Sequence, residues 1–337
     1  MKKPIAYSVL ELAIVSQNST FKETLNNSLA LAKVAEETNY TRYWFAEHHN
    51  SDSVGSSATS VLIGYVAENT NTIRVGSGGI MLPNHSPLII AEQFGTLAQL
   101  YPNRIDLGLG RAPGTDQLTA QAIRSDFMQA AHSFPAEVTK IENYFSKENS
   151  TSKVRVAIAE GVDVPIYILG SSTDSAHLAS QKGLPYAFAS HFASTHLMNA
   201  LHIYHNNFQP SEHLQTPYVI AGVNVIVADT DQEAQNLFTS LIRMFYGLLT
   251  GNTGRLHPPT EYDDELQSVF NHPQVHQMLK YSFVGSKATV RKQIEAFLEE
   301  TQVDELIVVS TMYNLEDRLK STRLFAELMD DINDTNQ

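Results

Sequence analysis

The feature that most constrains this chain is an alternation repeated eight times, a short apolar run followed in nearly every case by an amphipathic stretch. Strand-like runs stand at 5–10, 41–45, 73–80, 104–109, 164–169, 185–189, 218–227 and 305–309. Between them lie helical patterns such as 24–37, where Leu25, Leu29, Ala32 and Ala35 recur at spacings of three and four. Further helices read from Ser57, Pro87, Ser172, Ser194, Asp231, Lys287 and Leu315. Alternating β and α elements imply a parallel sheet with right-handed crossovers. Eight such units are what closure into a (β/α)8 TIM barrel requires, with the excess length in extended βα loops. An open doubly wound sheet has the same periodicity, so the pattern alone leaves both architectures open.

The 337 residues read as a single domain spanning 1–337. Two stretches depart from the alternation. Residues 111–134 form a polar, Gly-, Asp- and Gln-rich loop leaving the fourth strand, read as a lid; residues 251–282 carry Pro258-Pro259, many acids and scattered histidines, read as an insertion. Residues 147–163 read as a third irregular link.

Composition excludes several chemistries. Without cysteine there is no disulfide framework, thiolate zinc site, iron–sulfur cluster or cysteine nucleophile. With 23 Lys and Arg against 36 Asp and Glu, the net charge of -13 opposes phosphate backbones, so nucleic acid is not expected as a partner. Glu11 interrupts the N-terminal apolar run, which fits an entering strand better than a signal sequence, and no segment reaches membrane-spanning length. The expectation is a cytoplasmic protein without a membrane partner.

In a parallel barrel the chemistry lies where strands end. The second run leads into Glu47-His48-His49-Asn50. Adjacent residues in extended chain face opposite sides, so at most one histidine faces the cavity. His48 is the functional candidate, while His49 is expected to be satisfied by loop hydrogen bonds. No metal site is expected, since the spacing matches no ligand motif. The third run ends in Gly76-Ser77-Gly78-Gly79, and glycines inside a strand mark a bulge or a close ligand approach. The fourth ends in Gly108-Leu109-Gly110-Arg111, which is not a dinucleotide fingerprint. Arg111 reads either as an anion contact or as a partner of the barrel's own carboxylates. The fifth leads into Gly170-Ser171-Ser172-Thr173-Asp174-Ser175 before a helix. One hydroxyl suffices for an N-cap, so the surplus reads as a phosphate cup beside Arg111. No serine-nucleophile or P-loop motif is present, and His257, His272 and His276 read as solvated.

With these motifs in order, the chain resembles the bacterial luciferase-like flavin monooxygenase family, and within it a subgroup of oxidoreductases that do not emit light. The resemblance covers nearly the whole length and is carried by RYWFAEHHN at 42–50, VGSGGIMLP at 75–83, SPLIIAEQFGTLAQLYPNRIDLGLGRAPG at 86–114, and 165–175 with Gly183-Leu184-Pro185. It implies a (β/α)8 barrel holding FMN at its carboxyl end, usually in a homodimer, with the reduced cofactor supplied by a separate flavin reductase. His48 matches the histidine beside the flavin that assists proton transfer. Gly78-Gly79 match a pair joined by a cis peptide against the ring system. Arg111, Ser172 and Ser175 match phosphate contacts, Gly110 falls near the flavin, and Gly170 and Ser171 lie at the phosphate loop. Gly110 stands where the luminous enzymes carry a reactive cysteine, and Ser171 where they carry glutamate, so light emission is not expected.

The function implied is oxidation of a small organic substrate by reduced FMN and O2 through a C4a-peroxyflavin. The alternatives are a deazaflavin-dependent hydride transfer and a non-catalytic flavin carrier or sensor. Pocket walls are expected from residues 7–11, 190–192, the lid and the insertion.

Overall fold

The computed structural model describes residues 3–335. Met1 and Lys2 of the N-terminal segment, and residues 336 and 337 of the 1–337 span, lie outside the described residues. The elements are β1 (Ala6–Glu11), α1 (Phe21–Glu37), β2 (Arg42–Phe45), α2 (Thr59–Glu68), β3 (Arg74–Met81), α3 (Pro87–Leu100) and β4 (Ile105–Gly110). Then come α4 (Gln117–Ile123), α5 (Phe127–His132), α6 (Phe134–Phe145), β5 (Ile166–Gly170), α7 (Thr173–Lys182), β6 (Tyr186–Phe188) and α8 (Leu197–Asn207). The chain closes with β7 (Val219–Ala228), α9 (Asp231–Thr250), α10 (Asp264–Phe270), α11 (Pro273–Met278), β8 (Ser282–Ser286), α12 (Lys287–Thr301), β9 (Glu305–Val309) and α13 (Leu315–Thr335).

Strands β1 to β7 and β9 form a closed parallel barrel, because β6 pairs with β7 and β9 pairs with both β1 and β7. The architecture is a TIM barrel, which removes the open-sheet alternative. Strand β8 pairs only with the distal half of β7 and stands outside the ring. The sequence reading missed it because it begins at Ser282, the last residue assigned to the insertion.

Helix limits follow local chemistry. Helix α1 starts before residue 24 because Thr20 and Glu23 form a reciprocal capping box, Glu23 N–H donating to Thr20 Oγ1 at 3.2 Å and Thr20 N–H to Glu23 Oε2 at 2.7 Å. Gly183 ends α7 in the left-handed region at φ 60°.

Two sequence expectations are corrected. Residues 111–134 are not a structureless polar loop: they contain α4, capped by Asp116 accepting from Thr119 N–H at 3.1 Å, and α5. Residues 251–282 carry α10 and α11, whose Leu266 and Val275 pack on the apolar face of α9 at Phe238, Leu241 and Phe245. This makes a second small core outside the barrel.

The interior of the barrel is charged at its amino end. Arg42 donates from Nε to Glu305 at 2.9 Å, and from Nη1 to Asp106 at 2.9 Å and the Tyr167 hydroxyl at 2.6 Å. Arg74 Nε binds the other Asp106 oxygen at 2.9 Å, and Trp44 Nε1 donates to Asp106 at 3.0 Å. Tyr218 and Ser8 donate their hydroxyls to Glu305. Every charged oxygen here has a donor, which is the condition for keeping ions in a protein interior. Replacing Asp106 by Asn leaves two arginines short of a counter-charge. It should lower the unfolding free energy in urea by about 3–5 kcal/mol, whereas Asp174→Asn at the exposed surface should change it by less than about 1 kcal/mol.

Candidate active site

Above the ion cluster the barrel opens into a cavity of about 690 Å³ at the carboxyl ends of the strands. Its floor is apolar, with Leu10, Trp44, Leu169, Ala187 and Ile307 pointing inward. On β1 the alternation sends Leu10 to the cavity, while Tyr7 and Val9 face the helices. Glu11 likewise turns outward, accepting from Tyr43 at 3.0 Å and from Arg318 of α13 at 2.6 Å. Of the expected wall 7–11, therefore, only Leu10 contributes, joined by Leu12 beyond it. The lid supplies Phe127, Met128 and Phe134. None of residues 251–282 borders the cavity, because that segment is committed to α9.

Glu47, which the sequence reading did not single out, organises the loops around this mouth. It is 1% exposed and receives His49 Nε2 at 2.8 Å, His85 Nε2 at 2.9 Å, Asn84 Nδ2 at 3.0 Å and the Met81 N–H at 3.0 Å. Burial opposes its charge, but His49, His85 and Asn84 outweigh that opposition and hold the carboxyl down at about 2. The expectation for His49, a loop-satisfied residue turned from the cavity, is met.

His48 borders the cavity. Its Nδ1 lies 3.3 Å from the carbonyl of Gly114, so the proton sits on Nδ1 and the Nε2 lone pair is left for a ligand. Burial lowers its pKa, and the Gly114 bond only partly compensates, so the ring is neutral at neutral pH. Gly114 has to be glycine: φ is 65°, and a Cβ would stand 2.5 Å from the Glu47 carbonyl.

The glycine run serves two ends. Gly78 lines the cavity and Gly79 does not, although the peptide between them is cis. A Cβ at Gly79 would meet the Gly108 carbonyl at 2.7 Å, so close packing of β3 on β4 at their register shift accounts for that residue.

Gly110, Arg111, Gly170, Ser171, Ser172 and Ser175 all come together at one side of the cavity. Arg111 Nη1 pairs with Asp174 of α7 at 2.9 Å, both side chains being largely exposed. The partner is thus a carboxylate of the helix start. An exposed pair of this kind is worth little, so an incoming anion can displace Asp174. Ser172 stands at the N-cap of α7 without making a side-chain cap bond, which leaves its hydroxyl and the first helical N–H groups for a ligand. Ser175 turns its hydroxyl to the Ser172 carbonyl at 2.9 Å and shapes the loop, and Gly170 leaves room for it.

The expected wall 190–192 contributes His191 and Phe192, although His191 was not singled out within it. His191, after β6, is 8% exposed, and its Nδ1 is buried without a hydrogen-bond partner. Burial, reinforced by nearby His48, pushes its pKa down to about 3. No motif surrounds it, so no sequence signal distinguished it from an ordinary loop histidine.

A profile of the luciferase-like monooxygenase family matches residues 8–305. A luciferase-like monooxygenase of Escherichia coli K12 is 47% identical over 330 residues, covering 98% of this chain and 98% of its own. The structure of apo-MsnO8 is similar with a TM-score of 0.88 and 32% identity, over 97% of this chain and 98% of that one. The oxygenating constituent of 3,6-diketocamphane monooxygenase of Pseudomonas putida, in complex with FMN, shares the fold at a TM-score of 0.75 and 16% identity, over 96% of this chain and 97% of its own.

A histidine held neutral by burial binds fewer protons than it does in the unfolded chain between about pH 3 and its ordinary value near 6.5. Folding stability is therefore lost as the pH falls through that window. The unfolding free energy of His191→Phe, measured in urea, should gain on that of the wild type by about 2 kcal/mol between pH 7 and pH 5.

Proposed function

The chain belongs to the luciferase-like monooxygenase family, and from that premise we propose that it oxidises a small organic molecule with reduced FMN and molecular oxygen. The observation that carries the reading is a single cleft with two unlike ends. One end has Arg111, the free Ser172 hydroxyl and the start of α7, which suit a phosphate; the other is an apolar chamber, which suits a flat ring system and its substrate. When bound, reduced flavin supplies the electrons that activate oxygen.

The residues do the rest. Arg111 and Ser172 hold the charged tail and so fix how far the ring reaches into the barrel. Gly78 lets the ring lie close to the backbone of β3. The lid residues Phe127, Met128 and Phe134 keep water from the chamber, which limits loss of oxidising equivalents as hydrogen peroxide. His48, neutral and held by Gly114, accepts a proton at Nε2 and returns it.

Two partners complete the proposal. A separate flavin reductase delivers FMNH2, and a second copy of the chain covers the outer faces of α2 and α3. There Val61 is 68%, Leu100 64% and Ile89 44% exposed.

Arg111→Ala should weaken FMN binding about 10- to 100-fold, as expected for loss of a charged hydrogen bond, while riboflavin, which lacks the phosphate, binds unchanged. Asp174→Asn should bind FMN as well as or better than the wild type. A protein that binds neither flavin, or prefers a deazaflavin and takes up no oxygen, would overturn the reading. His48→Ala should still bind FMN and divert oxygen to hydrogen peroxide; an unchanged product yield per oxygen consumed would remove His48 from the proton path. In sedimentation, the double variant Val61→Glu, Leu100→Glu should run at half the mass of the wild type.

A further inference from the structure

Two histidines border the cavity from opposite sides, since β2 and β6 stand across the ring from each other. His48 has a partner in Gly114, whereas His191 has none on its ring. Its surroundings nevertheless fix it closely. The Ser190 hydroxyl donates to the Gly222 carbonyl at 2.7 Å, Asn224 Nδ2 donates to the His191 carbonyl at 2.6 Å, and Phe192 packs edge-on at 4.9 Å. Gly222 is part of the fit, because a Cβ there would come within 2.5 Å of His191 Nδ1. The nearby polar groups are thus spent on the backbone, and the imidazole is held rigidly without a partner. Buried polar groups are seldom left this way unless something else satisfies them.

We propose that His191 is a substrate-binding residue, its Nε2–H donating a hydrogen bond to an uncharged acceptor oxygen such as a carbonyl, on an apolar substrate lodged between it and His48. This rests on the flavin reading above. A neutral imidazole has one donor and one acceptor. Nδ1 lies against the bare Cα of Gly222, where a proton would have no acceptor, and an orphaned N–H is rarer than an orphaned lone pair. The proton therefore sits on Nε2, at the edge of the ring toward the cavity.

The class of substrate follows from charge. Burial keeps the ring uncharged down to about pH 3, and His48 facing it acts in the same direction. The other titratable groups on the cavity wall are Arg111, Asp174 and His132. Among the described lining residues Arg111 is the one permanent cation, and the cofactor's phosphate engages it. A carboxylate or sulfonate on the substrate would face no cation beside His191. Trp44, Phe188, Phe192 and Ile307 make apolar parts of the cavity wall.

The test uses 15N-labelled, FMN-loaded protein with heptan-2-one and heptanoate as probes, titrated by NMR. In the wild type, His191 should show a protonated Nε2 and an unprotonated Nδ1 from pH 8 to pH 5, and the ketone should shift the Nε2 signal. His191→Phe should bind the ketone about three- to tenfold more weakly, with FMN affinity within twofold of the wild type, and His191→Gln should recover most of the loss. Heptanoate should bind the wild type at least tenfold more weakly than the ketone. The proposal is overturned by a protonated Nδ1, by titration of the ring above pH 5, or by wild-type protein that does not bind the ketone. It is overturned equally by a ketone affinity unchanged in His191→Phe, or by FMN and ketone affinity falling together. Should the wild type fail to bind FMN, the flavin reading fails instead. The tautomer and the ketone titration on the flavin-free protein then still decide the role of His191.

Discussion

The ion cluster at the amino end of the barrel is the constraint on which the rest of the structure depends. Arg42 joins β2 to β4, β5 and β9 through Asp106, Tyr167 and Glu305, and Arg74 ties β3 to the same Asp106. Four interior-facing groups from different strands thus share one set of charges. Their geometry is met only when those strands are in their native register, since a slip of one residue would turn each charge to the helix layer. Stacked against this cluster, Trp44 and Tyr167 form an edge-to-face pair with ring centres 4.8 Å apart. Interior volume below this level is filled with fixed, satisfied groups. The hollow that remains lies above it, at the end where the βα loops converge.

A second organiser works at that upper end. Glu47 gathers the loop after β2, the turn after β3 and, through Asn84, the carbonyl of Pro113 at the root of the lid. Arg124 adds a further tie from the lid to the His85 carbonyl at 2.8 Å. His48 is fixed indirectly by this arrangement. Its ring is held through Gly114, which approaches the Glu47 carbonyl as closely as only glycine allows. Placing one functional ring to within hydrogen-bonding tolerance therefore takes a buried carboxylate that never touches the cavity. This is the kind of supporting shell on which catalytic geometry depends.

The sequence was informative where one residue type has one physical use. Starts and ends of the eight barrel strands were legible to within a residue or two because buried parallel strands need continuous apolar runs. That His48, Arg111, Ser171, Ser172 and Ser175 border the cavity was legible because strand ends open onto it. Gly79 could not be read to one end because a bare backbone has two uses, and only the fold shows that the Gly108 carbonyl occupies the space a Cβ would need, beside the cis peptide expected at Gly78-Gly79. The lid helices were hidden by their brevity: α4 and α5 have too few turns for a period to emerge, and α4 depends on its Asp116 cap. Glu47, and the role of His191 within the expected wall 190–192, were invisible for a different reason. Their significance comes from partners gained or missing in space, His85 in one case and the empty face of Gly222 in the other, and neither leaves a spacing pattern.

The distribution of positive charge explains the polarity of the cavity. In a chain with an excess of acids, most arginines are already committed. Arg42 and Arg74 hold the ion cluster beneath the cavity, Arg318 holds Glu11, Arg104 caps the carbonyls of Ala67 and Thr70, and Arg155 pairs with Glu160. Arg111 alone among the described cavity-lining residues keeps a permanent positive charge, and its hold on Asp174 is solvent-exposed and weak. Field lines in a low-dielectric cleft with one cation converge on that cation. An elongated ligand with an anionic tail therefore has one electrostatically favoured orientation, tail at α7 and apolar end toward β1 and β2. In the proposed binding mode its inner edge lies between the two neutral histidines. Neutral rings can donate or accept at that edge without competing for the tail, which a second cation there would do.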